Sequence, residues 1–535
     1  MLNRTGAVRK QKFLEGAGIL TIGLLLNKAI SAVYKLPLNR LIGSEAVGHF
    51  SVAYNVYDLM MSIAAAGLPV AVSRLIAESA AQGRRRQIQR TFTVSLAVFL
   101  LIGLAGGGSL LLFADQIAGR MRDTGAAPAL RALAPGVLFV CIFCAFRGYY
   151  QGQQYMTPTA VSQIVEAICK LGVGIGAAIL AIRLGFGPGA SAACAVAGVS
   201  AGAGLSCVYL LLVYRRRRVR PGPEDGELLS RGRTLGSLLR IALPITLGAA
   251  GLQIFKLFGT REILSGLQGP IGMAQAEAVA LFAVYSLSVT VFQLPGTVVQ
   301  PIGVSLVAGV TERITVDDAA GRRQLEEAAL RMTALIAFPC GFGMLALARP
   351  IQALLFGYRG ETLRIAGHLL QILSPAVIFY CFLMVTNALL QARGRVMIPV
   401  YHTLAGGAVY LLLCRLLVVQ PRLHIYGAAI ATLAYTAMIP ALNLIAICRR
   451  RKAAPRLWRQ LRKPLFAAAV MGAAAWAIQR LGGRAWISLP AAVAIYAALT
   501  VLLRTVTAED CALLPHGAAI ARFLHLNVDS NGGKS

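Results

Sequence analysis

Apolar runs of about 20 residues recur along the whole of this 535-residue chain, and each is long enough to cross a bilayer as a helix. No other feature narrows the fold so far. In hydrocarbon every backbone amide and carbonyl must be paired within the protein, which leaves helices and closed barrels as spanning structures. The runs are unbroken and lack period-two alternation, so barrel strands are excluded. Composition agrees: 57% of the residues are hydrophobic and 14% charged, whereas soluble domains carry about 25% charged residues.

The fold expected is therefore an all-α polytopic membrane protein. The runs predict about fourteen transmembrane helices. Six spans lie at 13–34, 46–73, 91–114, 132–152, 158–182 and 188–214; six more lie at 235–263, 277–310, 326–348, 364–391, 397–419 and 424–448; a last pair lies at 463–481 and 486–506. Lys and Arg concentrate in alternate loops, and cytoplasmic loops should hold that excess. This sets both termini in the cytoplasm. Arg84-Arg85-Arg86, Arg215 to Arg218 and Arg449-Arg450-Arg451-Lys452 read as inner topology anchors. The basic N-terminus shows no small-residue cleavage site, so the first run reads as an uncleaved helix.

The stretch 215–234, with Pro221-Gly222-Pro223, is the most linker-like. It divides an N-terminal lobe (1–214) from a C-terminal lobe (235–448), followed by two extra helices (449–506) and a cytoplasmic tail (507–535). The lobes echo one another. Gly67-Leu68-Pro69 in the second span answers Gln293-Leu294-Pro295-Gly296 in the eighth, and the corner Gln151–Pro158 answers Gln391–Pro399. Both halves start from the cytoplasm, as parallel repeats about an axis along the membrane normal would. The extra pair is expected at the edge of the second lobe, with Trp476 and Trp486 away from any central cavity.

The net charge of +31 does not read as a nucleic-acid surface, because the basic residues sit in short clusters without interleaved aromatics. Cys141 and Cys144 have C-x-x-C spacing but no second pair and no nearby His, so they read as packing residues. The six histidines show no ligand spacing. There is no G-x-x-x-x-G-K-[ST] loop. No enzyme site, metal site or cofactor is expected.

Ionisable residues inside spans are costly and default to a functional reading. The first span holds Asn27 and Lys28, with Lys35 near its outer end; the second holds Tyr54, Tyr57 and Asp58; the seventh holds Gln253 and Lys256. Glu166 and Lys170 stand four apart on one helix face, a spacing that favours an internal structural ion pair. Lys28 and Lys256 have no such in-helix partner. Either they face a shared cavity suited to an anionic phosphate or pyrophosphate, or Asp58 or Glu277 neutralises one of them. Both readings stand on the residues alone.

Four segments carry a resemblance. They are Tyr34-Lys35-Leu36-Pro37-Leu38-Asn39-Arg40-Leu41-Ile42-Gly43, Ala66-Gly67-Leu68-Pro69-Val70-Ala71-Val72-Ser73-Arg74-Leu75-Ile76-Ala77-Glu78, Arg147-Gly148-Tyr149-Tyr150-Gln151-Gly152-Gln153 and Thr157-Pro158-Thr159-Ala160-Val161-Ser162-Gln163. Together they resemble the MOP exporter superfamily on its polysaccharide and peptidoglycan-precursor branch, in the group of stage V sporulation protein B and the lipid II flippases. The resemblance implies two six-helix lobes around a central cavity, with the extra helices beside a lipid-tail groove. It implies a lipid-linked anionic glycan as substrate, the bilayer as partner, and a coupling cation or the membrane potential as energy source. The substrate-binding set is then Lys28, Lys35 and Lys256 with Asp58, Arg74, Arg147 and Gln253. The family's basic residue in the eighth span is missing here, since 278–310 holds no Lys or Arg. Two rivals are a drug or metabolite antiporter of the same fold and a non-transporting scaffold for envelope assembly.

Overall fold

The computed structural model describes residues 13–217, 228–315, 317–449, 457–481, 485–503 and 505. Among these there is no strand. The helices, in chain order, are α1 (Phe13–Ala65), α2 (Gly67–Ala81), α3 (Arg85–Leu112), α4 (Ala114–Arg120), α5 (Ala127–Gly152), α6 (Thr157–Arg183), α7 (Pro188–Arg217) and α8 (Arg231–Gln268). They continue as α9 (Gln275–Thr315), α10 (Ala319–Ala346), α11 (Ala348–Phe356), α12 (Gly360–Ala392), α13 (Met397–Leu417), α14 (Ile425–Cys448), α15 (Leu457–Arg480) and α16 (Ala485–Leu502).

Twelve helical stretches of the described residues are long and apolar enough to cross a membrane. α1 carries the first expected span and most of the second, and α16 is a shorter apolar helix. So counted, the helices fit the expected fourteen. The protein is a multi-pass membrane protein. Large apolar side chains are correspondingly exposed, among them Leu101, Leu104 and Leu112 of α3, Leu205 and Leu212 of α7, and Leu247 and Phe258 of α8. In water such a surface would aggregate; against acyl chains it costs nothing.

Local chemistry sets the breaks. α1 bends at Gly43, where φ 81 and ψ 165 is a conformation that essentially only glycine holds without strain. α6 starts on Thr157-Pro158, which places proline where a first-turn N–H would be unpaired anyway. α2, α6 and α12 end on residues in left-handed conformation at Gly83, Gly185 and Gly394, and α5 does so at Gln154 with φ 57. At the α5 end Gln154 N donates to Gln151 O and Tyr155 N to Tyr150 O, and at the α12 end Gly394 N donates to Gln391 O and Arg395 N to Leu390 O. These are the crossed bonds that satisfy the last carbonyls of a helix.

The chain separates into two compact units, Met1–Ala283 and Val284–Ser535, so that the division falls inside α9. In the first unit α1 packs on α5, α6, α7 and α8, and α2 on α5 and α8. The α2–α8 approach depends on Gly67, whose missing Cβ would collide with the Ala242 carbonyl. In the second unit α12 packs on α10 and α14, α15 packs on α10 and α16, and α11 lies on α12. The C-terminal half of α9 joins that core through Val299, Ile302, Leu306 and Val310. Glu326 of α10, fully buried, receives Arg393 Nε at 2.9 Å and Nη2 at 2.5 Å. Arg393 Nη1 also donates to Ile447 O at 3.2 Å, which ties α12 to the end of α14. α15 and α16 are fastened by Gln460, between Glu327 and Arg331, and by Tyr496 Oη donating to Leu335 O.

Candidate functional site

The second arm of α1 presents Phe50, Tyr54 and Asp58 at four-residue intervals, which lines them along one helix face. Phe50 and Tyr54 stack with ring centroids 5.6 Å apart, and Tyr57 leans on Tyr54 at the same separation. Three lysines from three helices converge here. Lys170 of α6 is 7% exposed and its Nζ donates to Tyr54 Oη at 3.1 Å. The same ammonium lies 5.0 Å from the Tyr54 ring centre and 5.5 Å from that of Tyr34. Lys35, on the first arm of α1, sits 5.2 Å from the Tyr54 ring centre and interacts electrostatically with Lys256, Asp58 and Lys170. Lys256 of α8 donates to Asp58 Oδ2 at 2.9 Å.

Tyr34 is held rigid for this role by its hydroxyl, which donates to Ala195 O on α7 at 2.6 Å. One turn from Lys256, Thr260 accepts Asn55 Nδ2 at 3.0 Å, so α8 is pinned to α1 at two successive turns. Beyond Tyr57 lies a second charge pair. Arg147 of α5 donates from Nε to Ser162 Oγ at 3.0 Å and from Nη2 to Glu166 Oε2 at 2.9 Å, with its guanidinium 3.8 Å from the Phe143 ring centre.

The pairing expected within α6 is thus not the one formed. Glu166 gives its carboxylate to Arg147 and Lys170 turns to Tyr54. Arg147 offers a planar fork with several donors, and a residue 19 positions away can reach Glu166 across the α5–α6 interface. Of the two readings for Lys256, the one with Asp58 as its partner is what the geometry shows. Gln253 lies on the same helix, with a buried Oε1 that has no hydrogen-bond partner among the described residues. Arg74 is not brought to the cluster; it pairs with Glu78 one turn along α2 at 3.0 Å, and both side chains are exposed. The Lys28 side chain lies outside the described residues, while next to it Asn27 Nδ2 donates to Gln163 O at 2.9 Å.

The balance of charge decides what such a place can hold. Asp58 neutralises Lys256 and Glu166 neutralises Arg147. Among the described residues Lys35 and Lys170 have no carboxylate within salt-bridge distance. Withdrawing an ammonium from water costs several kcal/mol, against which a desolvated aromatic face returns about 2 kcal/mol or more. Lys35 and Lys170 are thus the cations of the cluster that lack a carboxylate at salt-bridge distance among the described residues, with Asp58 acting on both and Glu166 on Lys170 through space.

Residues 13–307 match the family described as polysaccharide biosynthesis protein, which is more than half of the chain. The protein belongs to that family. A second match, to the family described as MatE, covers residues 279–414. The two families place the chain in the MOP exporter superfamily, on the polysaccharide and peptidoglycan-precursor branch. Stage V sporulation protein B of Bacillus subtilis (strain 168) is 24% identical over 455 residues, spanning 82% of this chain and 84% of that protein. Lipid II flippase MurJ of the same organism is 24% identical over 419 residues, spanning 75% and 76%. Among solved structures, lipid II flippase MurJ in an inward closed conformation superposes with a TM-score of 0.70 at 13% identity, covering 90% of this chain and 98% of that one. The polysaccharide biosynthesis match includes α1, α6 and α8 with all three clustered lysines.

Proposed function

We propose that this member of the polysaccharide biosynthesis family is a flippase for an undecaprenyl-pyrophosphate-linked sugar, lipid II or a related oligosaccharide. It moves the substrate from the inner to the outer leaflet by alternating access, for peptidoglycan, spore-cortex or polysaccharide synthesis. One observation carries the reading: Lys35 and Lys170 lie together without carboxylate partners among the described residues. A pyrophosphate esterified at both ends carries two negative charges, matching that excess. Lys256 joins when the phosphate competes with Asp58 for its ammonium, and Lys28 is assigned to the same set. Gln253 offers an amide on the same helix. In this reading the lobes are 1–214 and 235–448, the protein sits in a bacterial plasma membrane, and both termini are cytoplasmic. A coupling cation or the membrane potential drives the cycle.

The test is translocation of lipid-linked precursor in cells depleted of their own lipid II flippase, with variants compared at matched membrane abundance. Lys35→Ala, Lys170→Ala and Lys28→Ala each lose rescue, and Lys28→Arg keeps part of it because a positive charge remains. Full rescue by Lys35→Ala and Lys170→Ala together refutes the pyrophosphate assignment. The match of 279–414 to the MatE family favours one rival, cation-coupled drug or metabolite export. That rival predicts that Asp58→Asn abolishes export of a cationic dye from cells.

A further inference from the structure

Lys35 and Lys170 meet on a single side chain, Tyr54. Lys35 Nζ lies 5.2 Å from its ring centre and Lys170 Nζ 5.0 Å, each within the roughly 6 Å at which an aromatic face attracts a cation. Lys35 and Tyr54 are 19 positions apart on α1. A straight helix, rising about 1.5 Å per residue, would hold them about 29 Å apart. They meet because α1 doubles back at Gly43, where φ is 81. The rings of Tyr34 and Phe50 come within 6.1 Å of each other across the same fold.

The Tyr54 ring is held in place. Phe50, itself buried, stacks on it with 9° between the planes, and buried Tyr57 leans against it from the next turn. One fixed ring therefore limits how far apart the two ammoniums can stand. The hydroxyl adds a second feature. Tyr54 Oη accepts from Lys170 Nζ at 3.1 Å. A phenol oxygen that accepts keeps its own proton to donate, and among the described residues that proton has no acceptor. Asp58, one turn along the same face, is in contact with Lys256 and acts on Lys35 and Lys170 through space.

We propose that Tyr54 selects a diphosphate headgroup over a monophosphate one: its ring spaces Lys35 and Lys170 so that each takes one phosphate, and its hydroxyl donates to a phosphate oxygen. The inference rests on the flippase reading and adds a specificity-determining residue to it. A lysine ammonium is a compact point charge on a flexible stem, so two lysines by themselves fix no distance. The ring supplies one. A prenyl diphospho-sugar presents two charged phosphates joined through one oxygen, and both ammoniums are answered. A prenyl monophospho-sugar presents one charge and leaves one ammonium on the ring without it. The hydroxyl can donate to either headgroup. Ring and hydroxyl thus contribute separably, the ring to discrimination and the hydroxyl to affinity.

The test is binding to the full-length protein in detergent, read by native mass spectrometry. The probes are undecaprenyl-diphosphoryl-N-acetylglucosamine and its monophosphoryl counterpart. The wild type is expected to favour the diphosphate by about tenfold or more, the step that one charge-assisted contact supplies. Tyr54→Phe weakens both probes by a similar factor and keeps their ratio. Tyr54→Leu, with both lysines intact, lowers the ratio to that of Lys35→Ala; Tyr54→Met is the second ringless variant if Tyr54→Leu does not fold. A residue kept only for folding would lower the melting temperature and leave the ratio alone. A folded ringless variant with the wild-type ratio therefore overturns the spacing role. Wild-type binding of both probes by Tyr54→Phe overturns the role of the hydroxyl. A wild type that binds the two probes equally overturns the selection and leaves the flippase reading standing. One that binds neither removes the flippase reading and the selection with it.

Discussion

Lys170→Met separates a residue kept for binding from one kept for folding. Methionine has nearly the length of lysine, so the substitution removes charge without opening a large void. The wild-type ammonium makes one hydrogen bond to Tyr54 at 3.1 Å, worth about 1.5–3 kcal/mol for a charged donor. Its two aromatic contacts at 5.0 and 5.5 Å add about 1–2 kcal/mol. Against these stands a desolvation penalty of several kcal/mol for a side chain only 7% exposed. The terms nearly cancel, and the apolar replacement no longer carries the penalty. Lys170→Met should therefore melt in detergent at the wild-type temperature or above it, while losing translocation of lipid-linked precursor. A variant that melts well below wild type, by the equivalent of about 3 kcal/mol or more, would falsify the balance drawn here and make Lys170 a structural residue. A stable variant that translocates normally removes Lys170 from the site.

Glu326→Gln leaves the half-buried Arg393 fork without its counter-ion, and breaking such a pair costs about 3–5 kcal/mol; the unfolding transition in detergent should fall accordingly, and Glu326→Leu with Arg393→Met should recover most of the loss. Gly43→Ala meets no atom within 4 Å, so its cost is torsional alone, about 1–3 kcal/mol, read as a lower melting temperature with no change in surface accessibility of neighbouring cysteines introduced as probes. Asp318, between the spans of α9 and α10, accepts from Gly321 N at 2.8 Å and from Arg313 Nη1 at 2.6 Å, and these bonds hold its carboxyl below the usual range. Its stabilising effect is complete above the ordinary carboxylate pKa and fades as pH falls through the lowered value, so the melting difference between wild type and Asp318→Asn should be present at neutral pH and vanish in strong acid.

The helices were legible because burial in hydrocarbon imposes a length as well as a composition. The expected spans 397–419 and 424–448 lie within two residues of α13 and α14 at each end, since turn-forming residues interrupt the apolar runs there. α4 and α11, of 7 and 9 residues, were not legible: each is too short to register as an apolar run. The bend in α1 at Gly43 falls within the break expected between the spans 13–34 and 46–73, because Lys35, Pro37, Asn39, Arg40 and Glu45 interrupt the apolar run; that the backbone stays helical on both sides of it was not legible. At the site, single-helix spacing offered Glu166 and Lys170 as a pair, and the fold brought in Arg147 and Tyr54 from other helices. Tyr54 had a readable signal, standing four residues before Asp58 on the same face.

The packing of α15 and α16 on α10 and α11 also gives the molecule an optical property. Its three tryptophans, Trp458, Trp476 and Trp486, all belong to these two helices, and Trp458 and Trp476 are 71% and 54% exposed. Indole emission from the native protein therefore originates in α15 and α16 and nowhere else. Brominated acyl chains that touch these helices will quench it, and a substrate that alters the emission must be sensed there. The lysine cluster is dark to the same light, and a tryptophan in place of Phe50, with the native three replaced by phenylalanine, would move the lamp to it.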